Sequence, residues 1–195
     1  MNPPSVYTYS QIVDAAFDLL REEGWDAVST RAIAKRLGSS TMPIYSNVSS
    51  VDELETELRT KTRDILKEYQ GRPYTEEVLL NLAFGYIVFA RDEKHLFRFL
   101  YLDRPEELND ESGSGMRDMF LEDFGEDSAV AEALSQLDDA SQKVLIQYTW
   151  IFTHGLAMLV NSGAIGSTTD EHIRGLLMDA GEAFYLWASR AEESQ

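Results

Sequence analysis

Apolar residues recur at helical spacing along nearly the whole chain. Ile12, Val13, Ala16, Phe17 and Leu20 form one stripe with Asp14, Asp18 and Arg21 opposite, which predicts a helix. Thr8-x-x-Gln11 has the form of a capping box at its start, and Gly24 can take the left-handed conformation that closes it. A short second helix is expected from its cap at Thr30, with Ile33, Ala34 and Leu37 inward and Gly38 as its stop. Ser39-Ser40-Thr41 opens a third, with Pro43 near its start where a missing N–H costs little. Ser50-x-x-Glu53 is a second capping box, opening a longer helix through Leu54, Leu58, Ile65 and Leu66 that ends at Gly71-Arg72-Pro73.

The same period continues. Leu79, Leu82, Tyr86 and Phe89 share a face, and Leu96 to Leu102 is an apolar patch ended by Arg104-Pro105. Polar, Gly- and Ser-containing residues Glu106 to Gly115 predict a loop. Helical pieces are expected at Met116–Phe124 and Ala129–Leu137, then a long helix from about Asp138 to Ser162. A last helix should follow a third capping box, Thr168-x-x-Glu171, and run to about Ala191. No segment alternates with period two between turn signals, so the expected fold is all-α, with about nine helices. The expected division is a helix-turn-helix head in 1–50, a connecting helix from about 51 to 70, and a larger helical domain in 71–195.

Charge changes the picture more than composition does. The 195 residues include 17 Lys+Arg against 34 Asp+Glu, a net −17, which excludes a uniformly basic coat for nucleic acid. The imbalance is local. Residues 1–70 carry 8 basic and 11 acidic side chains; residues 71–195 carry 9 and 23. The first third can still present a positive face, while the remainder repels phosphate. The chain has no cysteine, which excludes disulfides, thiol catalysis and Cys-ligated metals. Its three histidines (His95, His154, His172) are far apart, and no catalytic constellation stands out among the many carboxylates. No metal, cofactor or enzymatic activity is expected. Val144 to Thr169 lacks Asp, Glu, Lys and Arg and is long enough to span a bilayer, but Gln147, His154, Asn161, Ser162, Gly163 and Gly166 favour a buried central helix. No basic-then-apolar leader opens the chain, so a cytoplasmic protein is expected.

Residues 30–47 carry the most informative pattern: a short helix, a Gly-containing turn at 38–40, then a second short helix from Thr41 to Ser46. This is the sequence form of a helix-turn-helix. The segment Ile12–Leu58 resembles the DNA-binding domain of the tetracycline-repressor (TetR) family, on Gly24, Thr30, Ile33-Ala34, Gly38, Ser40, Ile44-Tyr45 and Leu54 in order. Trp150 with His154-Gly155, and the segment Glu93–Leu102, are similar to C-terminal segments of a subset of that family. The resemblance departs at Asn47, Val48 and Val51, where the family usually has His, an aromatic residue and Lys, and at an N-terminal arm with no basic residue before Arg21.

The resemblance implies that Ser40 opens the recognition helix, with Thr41, Met42 and Ser46 toward base edges. Thr30, Tyr45 and Asn47 would lie near phosphates, and Arg31, Lys35 and Arg36 would supply local positive charge. Ile44 is read as core. Aromatic residues are frequent in the acidic part, and Tyr86, Phe89, Phe99, Phe120, Tyr148, Phe152 and His154 are the candidates for an apolar ligand pocket. Leu177, Ala180, Gly181, Phe184 and Ala188 form a small-residue face, a candidate dimer interface or an intramolecular one. The expected function is a ligand-responsive transcriptional regulator, a repressor, that binds a palindromic DNA operator as a homodimer and is released by a small, mostly apolar molecule. The alternative is a helical ligand- or protein-binding dimer with little useful DNA affinity.

Overall fold

A computed structural model describes residues 7–48, 51–104, 124, 128–135, 137–166 and 169–192. Among them are nine α-helices and no strand: α1 Tyr9–Glu23, α2 Thr30–Arg36, α3 Met42–Asn47, α4 Val51–Gln70, α5 Val78–Asp92, α6 Lys94–Arg98, α7 Ser128–Leu134, α8 Asp139–Ser162 and α9 Asp170–Glu192. No helix among the described residues is long and apolar enough to cross a membrane. The boxes expected at Ser50 and Thr168, the 106–115 loop and most of 116–124 lie outside the described residues.

The chain divides into two compact units that interleave in sequence. One comprises residues 1–67 with 93–106, the other 68–92 with 107–195. The boundary expected from sequence, 1–50 against 71–195, does not separate out the 93–106 segment.

In the first unit α1 begins as read: the Thr8 hydroxyl accepts from the Gln11 N–H and the Gln11 side chain accepts from the Thr8 N–H. Gly24 closes it at φ +88°, in the region that favours glycine. The start of α2 differs from expectation. Ser29, not Thr30, is the cap: its backbone is extended and its hydroxyl accepts from the Ala32 N–H at 3.2 Å, so Thr30 is already the first helical residue. Ile12, Ala16, Leu20, Ile33, Leu58 and Leu96 form the buried core. The 96–102 patch is not one regular helix. Beyond Arg98 the chain widens into a π-helical turn, Phe99–Asp103, with the Arg104 N–H on the Phe99 carbonyl at 3.2 Å. The wider turn buries Phe99 and Leu100 together, with Phe99 stacked on Trp25 at 5.0 Å and the Arg59 guanidinium 5.3 Å from its ring. Buried Glu93 takes two bonds from the Arg21 guanidinium, one at 2.8 Å.

In the second unit α5 and α8 carry the long apolar faces. Gly85 allows the end of α4 to lie against α5, since a Cβ there would meet the Tyr69 carbonyl oxygen at 2.3 Å. Asn161, buried on α8, donates to the Ala90 carbonyl at 2.9 Å and so ties α8 to α5. α8 starts from an Asp138 cap, as its sequence led one to expect, and Gly163 ends it at φ +72°. For α9 the capping contact comes from Thr169, whose hydroxyl accepts from the His172 N–H at 3.4 Å. Leu82, Val130, Leu134, Leu137, Leu145, Ile146 and Ala188 pack as one cluster joining α5, α7, α8 and α9.

Candidate nucleic-acid interface and ligand cavity

Two places in the molecule leave chemistry uncommitted, one in each unit. The first is the α2–turn–α3 segment. Gly38 turns at φ +64°, and the Ser39 N–H returns to the Ala34 carbonyl at 2.9 Å, which reverses the chain within three residues. Ile33 and Ile44 then point inward, at 1% and 2% exposure. The same register forces Met42 and Tyr45 outward, at 72% and 69%. Ile44 is core, as read, and Tyr45 does not pack there.

The other expected contact residues divide. Ser40 is exposed, and Thr30 and Thr41 are half-buried. Thr41 precedes α3 without a side-chain capping bond. Ser46 and Asn47 are turned back on their own helix, with Ser46 donating to the Met42 carbonyl at 3.0 Å and Asn47 to the Pro43 carbonyl at 2.7 Å. Short polar side chains on a helix satisfy the carbonyl four residues earlier in this way. Arg31 and Lys35 are exposed on α2 with no ion pair among the described residues. Arg36, expected beside them, is instead tied to Glu22 at 2.6 Å and Asp18 at 3.9 Å, and the Glu22 hydrogen bond raises its pKa. The usable positive charge is therefore narrower than the sequence suggested. A tyrosine before α1 also braces the segment, the Tyr7 hydroxyl donating to the Leu37 carbonyl at the end of α2.

The second place is a cavity of about 610 Å³ within the larger unit, bounded by α5, α7, α8 and α9. Tyr86, Phe152 and His154 line it, as the sequence led one to expect. Three other candidates are not brought to it. Phe89 is fully buried with its ring edge-on to Tyr69 at 5.7 Å. Tyr148 is 43% exposed and meets Phe184 and Trp187. Phe99 belongs to the other unit, against Trp25. Phe120 lies outside the described residues.

The polar group at the cavity is a pair. His154 Nδ1 lies 2.9 Å from the Tyr86 hydroxyl, and the imidazole stacks parallel on Trp150 at 4.9 Å. Burial pushes the His154 pKa below its usual value, which keeps the ring neutral at neutral pH. Thr153 also lines the cavity, and its hydroxyl is buried with no hydrogen-bond partner.

Sequence reasoning missed the aliphatic wall, including Leu134, Ile146 and Leu177. These residues read as ordinary core, and a stripe of leucines does not reveal whether it closes on a neighbour or leaves a gap. Leu177, Ala180, Gly181 and Phe184 line the cavity and Ala188 joins the cluster above, so the small-residue stripe of α9 is an intramolecular face. Apolar side chains are also exposed at Tyr148, Ile151 and Leu159 along one side of α8, with Gly155 among them, and at Met178 and Tyr185 on α9, which line the cavity as well.

Comparison with known proteins bears on the first unit most directly. Residues 12–54 match the family model of bacterial regulatory proteins, tetR family. The chain is similar to the HTH-type transcriptional regulator YobS of Bacillus subtilis, 28% identical over 94 residues, 46% of this chain and 49% of that protein. It is also similar to the HTH-type transcriptional regulator Rv0681 of Mycobacterium tuberculosis, 31% identical over 61 residues, 31% of this chain and 28% of that one. The match thus spans about half of the first relative and less of the second. Among solved structures, apo ActR from Streptomyces coelicolor aligns over 95% of this chain and 98% of its own at 18% identity, with a TM-score of 0.48.

Proposed function

We propose, from the premise that residues 12–54 are the tetR-family segment of this chain, that the protein is a DNA-binding transcriptional regulator acting as a homodimer. The observation that carries this reading is the outward pair Met42 and Tyr45 on α3, with Arg31 and Lys35 exposed on the preceding helix α2. Apolar and phenolic groups beside two cations suit a duplex groove. Met42 with Thr41 reads base edges, including thymine methyls, while Tyr45, Thr30, Ser40 and the two cations meet phosphates. Ser46 and Asn47 contribute only if they release their own helix.

The exposed stripe on α8, with Met178 and Tyr185 on α9, is the surface by which two copies associate. A glycine at its centre, Gly155, lets helices approach closely. Two copies place two recognition helices on a palindromic operator, with half-sites about 34–36 Å apart on straight DNA. Filling the cavity in the larger unit with a small, mostly apolar molecule releases the DNA, which makes the regulator a repressor.

The test is fluorescence anisotropy with selected genomic fragments across a salt series. Association should weaken linearly in log–log form, with a slope set by few phosphate contacts, roughly two to four per head. Absent or salt-independent association would favour the alternative, a helical ligand- or protein-binding dimer. The net −17 and the tied-back Arg36 are the features that favour it.

A further inference from the structure

We infer that the molecule bound in the cavity is an organic cation: an apolar body, accommodated by the aliphatic and aromatic wall, carrying one positive group held at the carboxylates of Glu77, Asp179 and Glu182. This deepens the ligand reading above and rests on it.

Three independent observations converge. The first is charge: Glu77, Asp179 and Glu182 line the cavity and are solvent-exposed, while among the described residues no Lys or Arg lines it. Among the basic residues near its walls in sequence, the Arg72 guanidinium lies 3.8 Å from the Tyr69 ring centre and Lys143 has a partner of its own. Arg91 is bonded to Asp92 and Asp170, and the Arg174 guanidinium lies 5.7 Å from the Phe84 ring centre. A buried anion without a counter-ion is strongly disfavoured, so a carboxylate or phosphate ligand has nothing here to pair with. The second is the wall. Trp150, Phe152 and Tyr185 line the same cavity as the carboxylates, and aromatic rings attract an organic cation while still packing its hydrocarbon. The third is the Thr153 hydroxyl, 94% of whose residue is buried and which has no partner in a cavity-lining position. A buried hydroxyl without a bond is costly, and a single ether, carbonyl or hydroxyl on the ligand body would satisfy it. The ligand therefore has a polar atom part-way along an apolar body and a cationic end toward solvent.

The neutral His154 supports this orientation. Its Nδ1 is occupied by the Tyr86 hydroxyl, and the imidazole is covered on one side by Trp150. The pair forms a dipolar wall without charge, which neither repels a cation nor anchors an anion.

The test uses the full-length protein and three probes with one body: decyltrimethylammonium, decanol and decanoate, each below its micelle concentration, followed by isothermal titration calorimetry. The cation should bind about tenfold more tightly than decanoate, with decanol between. Asp179→Asn with Glu182→Gln should weaken the cation roughly two- to fivefold per carboxylate removed and leave decanol unchanged. Because both side chains are exposed, the variant should fold normally, with an unchanged circular dichroism spectrum. A decanoate preference, equal binding of all three probes, binding of none, or a cation affinity untouched by the double variant would each overturn the inference. Operator binding by the unliganded protein is measured separately. Loss of cation preference with DNA binding intact sinks only the ligand class. Cation binding without any DNA association sinks the regulator reading and leaves the ligand class standing.

Discussion

Both units expose large apolar side chains, and the charges around them differ. On α3 Met42 and Tyr45 are exposed, and Arg31 and Lys35 are exposed on α2, the helix in contact with it. On α8 and α9 the stripe of Tyr148, Ile151, Leu159, Met178 and Tyr185 stands in a part of the chain with 23 acidic and 9 basic residues, with Asp179 and Glu182 beside it. An exposed hydrophobe alone says only that something covers it. The neighbouring charge says what. Two cations beside a small apolar ridge suit a polyanion. A broad apolar stripe among carboxylates repels one and suits a protein surface, which in the proposed function is a second copy.

The largest effect expected from breaking this contrast is on the second surface. Ile151→Asp places a charge at the centre of the α8 stripe, which should weaken self-association by at least about a hundredfold, as expected for an uncompensated charge in an interface. Sedimentation at micromolar concentration should show monomers, with helicity unchanged. Gly181→Arg, by contrast, should obstruct the cavity and leave self-association unchanged.

Changes on the first surface should be smaller and of two kinds. Tyr45→Phe and Lys35→Ala should each weaken DNA association roughly three- to tenfold on every sequence, because a phosphate contact carries no base information. Met42→Ala should alter the preferred sequence more than the mean affinity, read by selection from a random library. If Tyr45→Phe also shifts sequence preference, the two sides of α3 have been exchanged.

Arg36 sharpens the same surface. It faces Glu22 and Asp18, so Arg36→Ala should reduce DNA affinity less than Lys35→Ala, by under about twofold, although both remove one positive charge. An Arg36 effect equal to that of Lys35 would mean that the Glu22 pair opens when DNA arrives.

The smallest expected effect is on pH dependence. The His154 pKa is lower in the folded chain than in the unfolded one, so below the ordinary histidine value the unfolded chain binds the proton first. Stability should therefore fall as pH drops through the usual histidine range and level off once the folded ring also protonates. His154→Gln should flatten that slope in thermal melts at pH 5 to 8.

The sequence made some of this legible and hid the rest for physical reasons. The start of α1 was readable because Thr8 caps its own helix and the signal is local. At α2 two hydroxyls stand in a row, and only the extended backbone at Ser29 decides between them. Outward Met42 and inward Ile44 followed from helical register, whereas the fate of Arg36 depended on α1 residues fourteen and eighteen positions away. Tyr86, Phe152 and His154 were found because they sit on stripes that close around the same space. Phe99 was not separable from them: its partner Trp25 is distant in sequence, and nothing in a π-helical turn is written as a motif. The stripe of α9 was read with its two options open, since a face of Leu, Ala and Gly fits an internal neighbour as well as an external one.

The interleaving of the first unit has a consequence for how the protein is made. Arg21 receives its carboxylate partner from Glu93, seventy-two residues later, and Trp25 waits for Phe99. On a ribosome the part that emerges first is thus completed by a segment that emerges after α5. Until then Leu20 and Trp25 lack part of their cover, and the long loop between partners adds its closure entropy to the barrier. A nascent chain stalled before Glu93 should leave the early helices loosely assembled and open to proteases. A fragment ending at residue 50 would inherit that same unfinished state permanently, so grafting these helices onto another protein would require carrying residues 93–104 along with them.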